Sequence, residues 1–253
     1  MTKTYAIDVK ALLAPMASRT WLWALGLGLI FFCMRAIGML GPASLRWMLP
    51  LGFIVMVALP WLVLAANGRR QIGLCRAKNV RSYGVGIVAG VLAASLCFIL
   101  GVLLYGTSDD NWFINIANNY RQILDTRGFD LLKLHLMFTI PACLFSPFGE
   151  EIFFRGFLQR ALESRFSSRL STHIEAGLFG IVHLCHHGLI ATPGRLSLRP
   201  VSGCLWVLLM FSTAWMFAWI KKSSGSIFPA IASHAAFNAT MNVFIFAFLW
   251  HSL

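Results

Sequence analysis

The chain has 253 residues, of which 58% are hydrophobic and only 12% are charged, against roughly 25% charged in a typical soluble domain. Its formal net charge is +12, but the basic residues lie between long apolar runs, where topology signals and contacts with lipid head groups are expected. This distribution excludes an ordinary soluble fold and argues against nucleic acid as a partner.

Seven windows with few or no charged residues are long enough to cross a hydrocarbon core of about 30 Å as helices. They are residues 20–40, 47–67, 83–105, 134–149, 173–190, 201–220 and 227–250. Arg35 interrupts the first window, and the fourth is short unless its helix continues through Glu150 and Glu151. The sequence therefore predicts an all-α, polytopic transmembrane helix bundle of about seven to eight spans.

The only long polar stretch, residues 106–130, divides the chain into two parts. Its apolar residues Trp112, Ile114 and Ile116 indicate a loop with a short helix at the membrane surface. We expect residues 1–130 to form N-terminal membrane helices with this polar linker. Residues 131–253 then form a C-terminal group of helices that holds all the candidate chemistry.

The loops between the windows predict an orientation, because Lys and Arg in short loops favour the cytoplasmic side. With the N-terminus in the cytoplasm, the cytoplasmic segments carry roughly twice as many basic residues as the opposite side. We therefore expect the N-terminus inside and the C-terminus outside.

Two adjacent carboxylates, Glu150 and Glu151, follow the apolar fourth window, and Arg155 follows at helical spacing. Glu151 and Arg155 are four residues apart, so they share a helix face and can form an ion pair. Glu150 points about 100° away around the helix and stays free for another partner. Ionisable groups inside a span are costly and are therefore functional candidates, and a carboxylate among apolar neighbours suits a general base.

Two histidines lie about ten residues inside their windows. His183 follows Phe179 in the fifth window, and His234 precedes Asn238 on the same face of the last. Ten residues of helix span about 15 Å, so both histidines reach a similar depth, which Glu150 also reaches from its own helix. Three separate segments thus bring polar side chains to one level of the bilayer, which favours a site over isolated packing residues.

These motifs resemble those of the CAAX-protease and bacteriocin-processing family (CPBP, or Abi) of membrane peptidases. That family carries E-E-x-x-x-R, F-x-x-x-H and H-x-x-x-N motifs in this order on consecutive helices. The matching residues are Glu150, Glu151 and Arg155, then Phe179 and His183, then His234 and Asn238. The resemblance covers the chain from about Leu134 onward and implies a four-helix site in the C-terminal half.

The resemblance implies a glutamic intramembrane endopeptidase that cleaves peptide bonds with a glutamate-activated water. Glu150 would take the proton, and Glu151 with Arg155 would hold the local geometry. The residues that would orient the water or stabilise the oxyanion are His183, His234 and Asn238. The substrate would be a membrane-tethered peptide or protein, with or without a lipid anchor. The setting would be the bilayer of a bacterial inner (plasma) membrane, with the site toward its cytoplasmic half.

Two other chemistries stay open at this point. Glu150, His183 and His234 could supply three ligands to a divalent metal such as zinc, although no H-E-x-x-H signature is present and no cofactor is firmly implied. Cys185 could act as a nucleophile, but residues two apart on a helix point to different faces. His186 and His187 are expected to line the mouth of the helix.

The alternative from another class is a non-catalytic membrane binding protein, such as a bacteriocin-immunity factor or a scaffold, built on the same fold. It predicts that Glu150 can be replaced without loss of function. A transporter fits less well, because the polar residues cluster at one depth and the two halves hold no paired interrupted helices.

Overall fold

The computed structural model describes residues 7–124, 128–192 and 195–252, and most of them lie in helices. The α-helices in chain order are α1 (Thr20–Leu40), α2 (Met48–Val63), α3 (Ala66–Gln71), α4 (Arg81–Tyr105), α5 (Trp112–Ile123), α6 (Leu131–Glu150), α7 (Gln159–Leu162), α8 (Ser168–Val182), α9 (Pro200–Ser224) and α10 (Phe228–Phe244). One antiparallel hairpin, β1 (Leu189–Thr192) with β2 (Arg195–Leu198), forms the only sheet in these ranges. The predicted all-α membrane bundle is confirmed.

Six helical segments of the described residues are long and apolar enough to cross a membrane. They are Ala11–Leu40, Ala43–Val63, Arg81–Tyr105, Leu131–Leu162, Pro200–Ser224 and Phe228–Leu249. Six of the expected seven to eight spans therefore meet this criterion of length and composition.

The window that does not form such a span is the fifth, residues 173–190. Helix α8 has 15 residues, about 22 Å of helix, and gives way to a short 3-10 turn at His183–Cys185. The chain then turns at Gly188, whose φ of +113° suits glycine, and enters the β-hairpin. Together, α8 and this turn still run along the span α9 from its end to its start, because Ser168 contacts Lys222 and His187 contacts Ser202. The helix in this window is therefore shorter than predicted, ending at Val182 and not at residue 190.

The fourth span does continue through the two glutamates. Residues Leu131–Leu162 form one helical segment of 32 residues, in which Glu151–Leu158 has the wider π-helical hydrogen bonding. Pro141 and Pro147 lie in the preceding helix and lack the N–H groups that regular α-helical bonds need. Wider π turns inside helices often mark functional sites, and this one begins at Glu151.

Helix α5 lies in the predicted polar linker, and it is more deeply packed than a surface helix. Its N-cap Asn111 accepts a hydrogen bond from the Phe113 backbone N–H. Trp112 is buried, stacks on Trp206 of α9 at 5.7 Å between ring centroids, and donates to the Cys97 carbonyl. Helix α5 is thus fixed across one end of the bundle; residues 125–127 of the linker lie outside the described ranges.

Glycines set the close approach of the helices that carry the candidate residues. A Cβ atom added at Gly149 of α6 would lie 3.0 Å from the Phe53 backbone of α2, and one at Gly90 of α4 would lie 2.0 Å from the Ser233 carbonyl of α10. Small residues allow such backbone contact between membrane helices. Because Gly149 precedes Glu150 and Ser233 precedes His234, these contacts fix both side chains relative to the bundle.

Candidate active site

The first carboxylate of the pair, Glu150, is fully buried and contacts a residue from the N-terminal part of the chain. Its Oε1 accepts a hydrogen bond from Nη2 of Arg35 at 2.5 Å. Arg35 lies in α1 and is itself buried. The arginine that interrupts the first predicted span is therefore the ionic partner of Glu150.

The second carboxylate, Glu151, lies in a different group of side chains. Its Oε1 is 3.2 Å from Nη1 of Arg155, the pair expected from helical spacing. Nδ1 of His234 donates to the same oxygen at 2.9 Å. On its other side, Arg155 lies 3.5 Å from Glu175 of α8, so one guanidinium joins two buried carboxylates.

Aromatic rings and a lysine complete this group. The Arg155 guanidinium lies over the ring of Phe179 at 3.9 Å and beside that of Phe217 at 5.3 Å, positions at which a cation is attracted by the ring. Lys221 of α9 donates to the Arg155 backbone carbonyl and to Gln159.

Acidic and basic side chains are equal in number at this place. Three buried carboxylates, Glu150, Glu151 and Glu175, lie with two buried arginines, Arg35 and Arg155, and with the half-buried Lys221. Unpaired charge is strongly unfavourable in a membrane interior. The balance therefore allows the site to hold several ionised groups in fixed positions.

His183 and Asn238 are both buried with one polar group engaged. Nδ1 of His183 lies 2.7 Å from the Phe179 carbonyl, and because a carbonyl can only accept, this nitrogen carries the hydrogen and Nε2 is left as an acceptor in the neutral ring. Asn238 donates one N–H to the Ala142 carbonyl at 2.9 Å, which leaves its second N–H free.

A cavity of about 220 Å³ brings the predicted residues together. Its wall includes His183, His234 and Asn238, together with Arg35. Glu150 lies behind this wall, in contact with Arg35 and with Nε2 of His234 4.0 Å from its Oε2. The structure therefore brings the four candidate catalytic residues to one place, as their depths predict.

The rest of the cavity wall is mainly apolar. Trp206, Phe217 and Phe237 form much of the wall, and Ile116 and Tyr120 of α5 close it. Helix α5 is therefore part of the cavity wall, whereas the sequence predicted it at the membrane surface.

The candidate residues next to His183 in sequence lie in three different surroundings. His186 lines the cavity, and its Nε2 makes no hydrogen bond within the described residues. His187 is instead held between Asn115 of α5, at 2.7 Å, and Ser202 of α9, at 2.9 Å. Cys185 is buried and does not line the cavity with His183.

The described residues show no formed three-ligand metal site. Within residues 7–124, 128–192 and 195–252, no group of three His, Cys, Asp or Glu side chains is arranged to hold a metal ion. Of the three expected ligands, Glu150 is paired with the guanidinium of Arg35, and this cation would repel a metal ion at the same carboxylate. His183 and His234 have their Nδ1 atoms engaged by Phe179 and Glu151, which leaves their Nε2 atoms open.

Comparison with known families bears on this site directly. Residues 132–240 match the model of the family described as type II CAAX prenyl endopeptidase Rce1-like. Over these residues, the chain is similar to the Rce1-like family. No curated protein and no solved structure matches the chain. The family supports a protease and agrees with the resemblance carried by the three motifs.

The Rce1-like segment contains Glu150, His183, His234 and Asn238, but Arg35 lies outside it. Sequence reasoning missed Arg35, Glu175 and Lys221 as parts of the site. The signal for Arg35 was present, since an arginine within an apolar window is costly and needs a partner. Glu175 lies near the start of the fifth predicted window, so the same signal was present for it.

Proposed function

We propose that this protein is an intramembrane endopeptidase in which Glu150 activates the attacking water. The observation that carries the proposal is the contact of Glu150 with two residues of the cavity wall, Arg35 and His234. Arg35 occupies Oε1, whereas Oε2 has no hydrogen-bond partner among the residues that the structure describes. A gap of 4.0 Å between Oε2 and Nε2 of His234 is too long for a direct hydrogen bond and suits a bridging water.

In the first step, Glu150 takes a proton from this water as the water oxygen attacks the peptide carbonyl carbon. The second hydrogen of the water can be donated to Nε2 of either His234 or His183, both acceptors in the neutral ring, and this hydrogen bond helps to aim the water. In the second step, the C–N bond breaks and the proton on Glu150 passes to the leaving nitrogen. A positioned acid or base of this kind contributes about 10²- to 10⁴-fold to the rate.

The oxyanion formed in the first step needs donors fixed in advance. Arg35 and the free N–H of Asn238 are the candidate donors, since both line the cavity. Such a donor contributes about 3 to 4 kcal/mol in a site that excludes water. Arg35 therefore has two proposed roles: it holds Glu150 ionised and it stabilises the transition state.

The second carboxylate has a supporting role in this scheme. Glu151 accepts from Nδ1 of His234 and so fixes the orientation of that ring, as a carboxylate does for a catalytic or metal-bound histidine. Arg155 and Glu175 hold Glu151 in turn.

The proposed substrates are membrane-associated peptides or proteins with an apolar segment at the cleaved bond. The aromatic wall of the cavity supports this choice, and it accommodates a substrate with or without a lipid anchor. We place the protein in a bacterial inner membrane with its N-terminus in the cytoplasm, on the basis of the basic residues in its loops.

Cleavage of a library of membrane-tethered peptides by the detergent-purified protein tests the proposal. We expect Glu150→Gln to lose about 10²- to 10⁴-fold in rate, with no effect of a chelator on the wild type. The matched control is Glu163→Gln, at the far end of the same helical segment. Chelator-sensitive cleavage would favour the metal alternative. Equal activity of the wild type and Glu150→Gln would replace the peptidase with a non-catalytic binding protein.

A further inference from the structure

A second cavity, of about 370 Å³, lies between α5, the end of α8 and the β-hairpin. Three asparagines of α5 contribute to its wall: Asn115, Asn118 and Asn119. The wall is polar, whereas that of the first cavity is mainly aromatic and aliphatic. The two cavities therefore suit different parts of a ligand.

The two cavities share part of their walls. Met39, Asn119 and His186 line both of them, and the His186 ring lies 5.2 Å from that of His183, between centroids. An extended chain that leaves the first cavity at this point would pass His186 and enter the second.

The charged residues at the edge of the second cavity already have partners. Arg199 pairs with Asp110 at 2.8 Å and with Asp109 at 3.5 Å, and this contact lowers the pKa of the Asp110 carboxyl. Arg121 donates to the Trp250 carbonyl. The cavity is therefore poorly suited to a free anion or cation.

Two asparagine side chains of this cavity, in contrast, have unused hydrogen-bonding groups. The side chains of Asn118 and Asn119 make no hydrogen bond within the described part of the chain, and both are half-buried. A primary amide offers two donors and one acceptor, which match the N–H and C=O groups of an extended peptide. Each such hydrogen bond contributes about 0.5 to 1.5 kcal/mol.

We propose that the second cavity binds an uncharged, polar, extended stretch of the same substrate. The substrate class is then a membrane peptide or protein whose apolar segment at the cleaved bond continues into a polar strand on the α5 side of the membrane. This inference rests on the proposed peptidase function, and it adds the part of the substrate that the apolar cavity does not recognise.

The test compares membrane-tethered peptides that share one apolar core and differ in an added extension of Ser and Gln, or of Lys, on either side of the cleaved bond. For the wild type, we expect the Ser/Gln extension on one side to lower KM about tenfold, and the Lys extension to give no such gain. In the variant Asn118→Leu/Asn119→Leu, the ratio of KM values with and without the Ser/Gln extension should fall to about one. The control Asn67→Leu, on the exposed surface of α3, should keep the wild-type ratio.

The inference would be overturned if the wild type showed a ratio of KM values near one, or if the double variant kept the wild-type ratio. It would also be overturned if the double variant lowered kcat equally for all peptides, which is the result expected of a passage for water. Each is distinguishable from failure of the peptidase proposal. In that case no peptide of either kind would be cleaved in a manner that depends on Glu150.

Discussion

Glu150 and Glu151 are adjacent in sequence, but they belong to two different regions of the molecule. Glu151 lies in a buried cluster with Arg155, Glu175 and His234, in which each contact is to another fixed side chain. Glu150 contacts the cavity wall instead, through Arg35 and the far side of the His234 ring. His234 is shared, with one ring nitrogen facing each carboxylate.

One sequence motif can thus supply both a structural support and a residue at the cavity wall. Successive residues on a helix point about 100° apart, so one carboxylate of an adjacent pair can contact a rigid support while the other contacts the side chains of the cavity wall. Environment then assigns the roles, as in other enzymes with paired carboxylates. The buried cluster should control stability, and the cavity edge should control activity.

Removal of Arg155 should break the buried cluster. In Arg155→Met, Glu151 and Glu175 lose their shared cation, and loss of one partner of a buried ion pair costs about 3 to 5 kcal/mol. Thermal unfolding in detergent measures the effect. Arg165→Met, on an exposed residue beyond the same helical segment, should unfold like the wild type, and a similar loss in both variants would contradict a special role of the cluster.

Replacement of Arg35 should act on the cavity edge. We expect Arg35→Met to lower kcat by about 10²- to 10³-fold, because it removes a donor to the oxyanion, and to change KM less. Arg35→Lys keeps the charge and should recover part of the rate. Steady-state kinetics measure kcat and KM, with Arg19→Met as the exposed control. An unchanged kcat in Arg35→Met would show that Arg35 has no role in catalysis.

Gly90 tests the packing that positions His234. In Gly90→Ala, the new Cβ would clash with the Ser233 carbonyl at 2.0 Å, and overpacking of this kind costs about 1 to 3 kcal/mol. The control is Gly84→Ala in the same helix, where a Cβ would meet nothing within 4 Å. Equal thermal stability and activity of the two variants would show that the α4–α10 contact does not hold the site.

The smallest effect is expected at the surface contact of α9 with the loop before α5. Arg199→Gln removes the partner of an exposed carboxylate, which contributes less than about 1 kcal/mol. Because the pKa of Asp110 is lowered by Arg199, this contribution is present above the ordinary Asp range and is lost as the pH falls below it. The stability difference between the wild type and Arg199→Gln should therefore shrink from pH 7 to pH 3, and a difference that grows would contradict the assignment.

Local spacing was enough to predict much of the site. Glu151 and Arg155 pair as helical periodicity requires, and His183, His234 and Asn238 share one cavity because their helices place them at similar depths. These are properties of single helices, so a sequence pattern can represent them. The predicted division at residue 130 stays a prediction, although Arg35 shows that the two parts contact each other at Glu150.

Other features depend on tertiary contacts, which local patterns do not represent. Arg35 reaches Glu150 across 115 residues of sequence, and Glu175 reaches Arg155 from a separate helix. The hairpin after α8 was missed because residues 173–190 contain no run of charge to mark the end of a span. The wall of the cavity depends on how α5 packs, and the polarity of its linker suggested only a surface position.

The most direct test of the central claim measures kcat and thermal unfolding for Glu150→Gln and Glu151→Gln under the same conditions. We predict that Glu150→Gln loses activity by a larger factor while it unfolds closer to the wild-type temperature. We predict that Glu151→Gln shows the greater loss of stability, because it breaks the buried cluster. If both variants lose activity and stability in the same proportion, the two glutamates do not have separate roles and the account is contradicted.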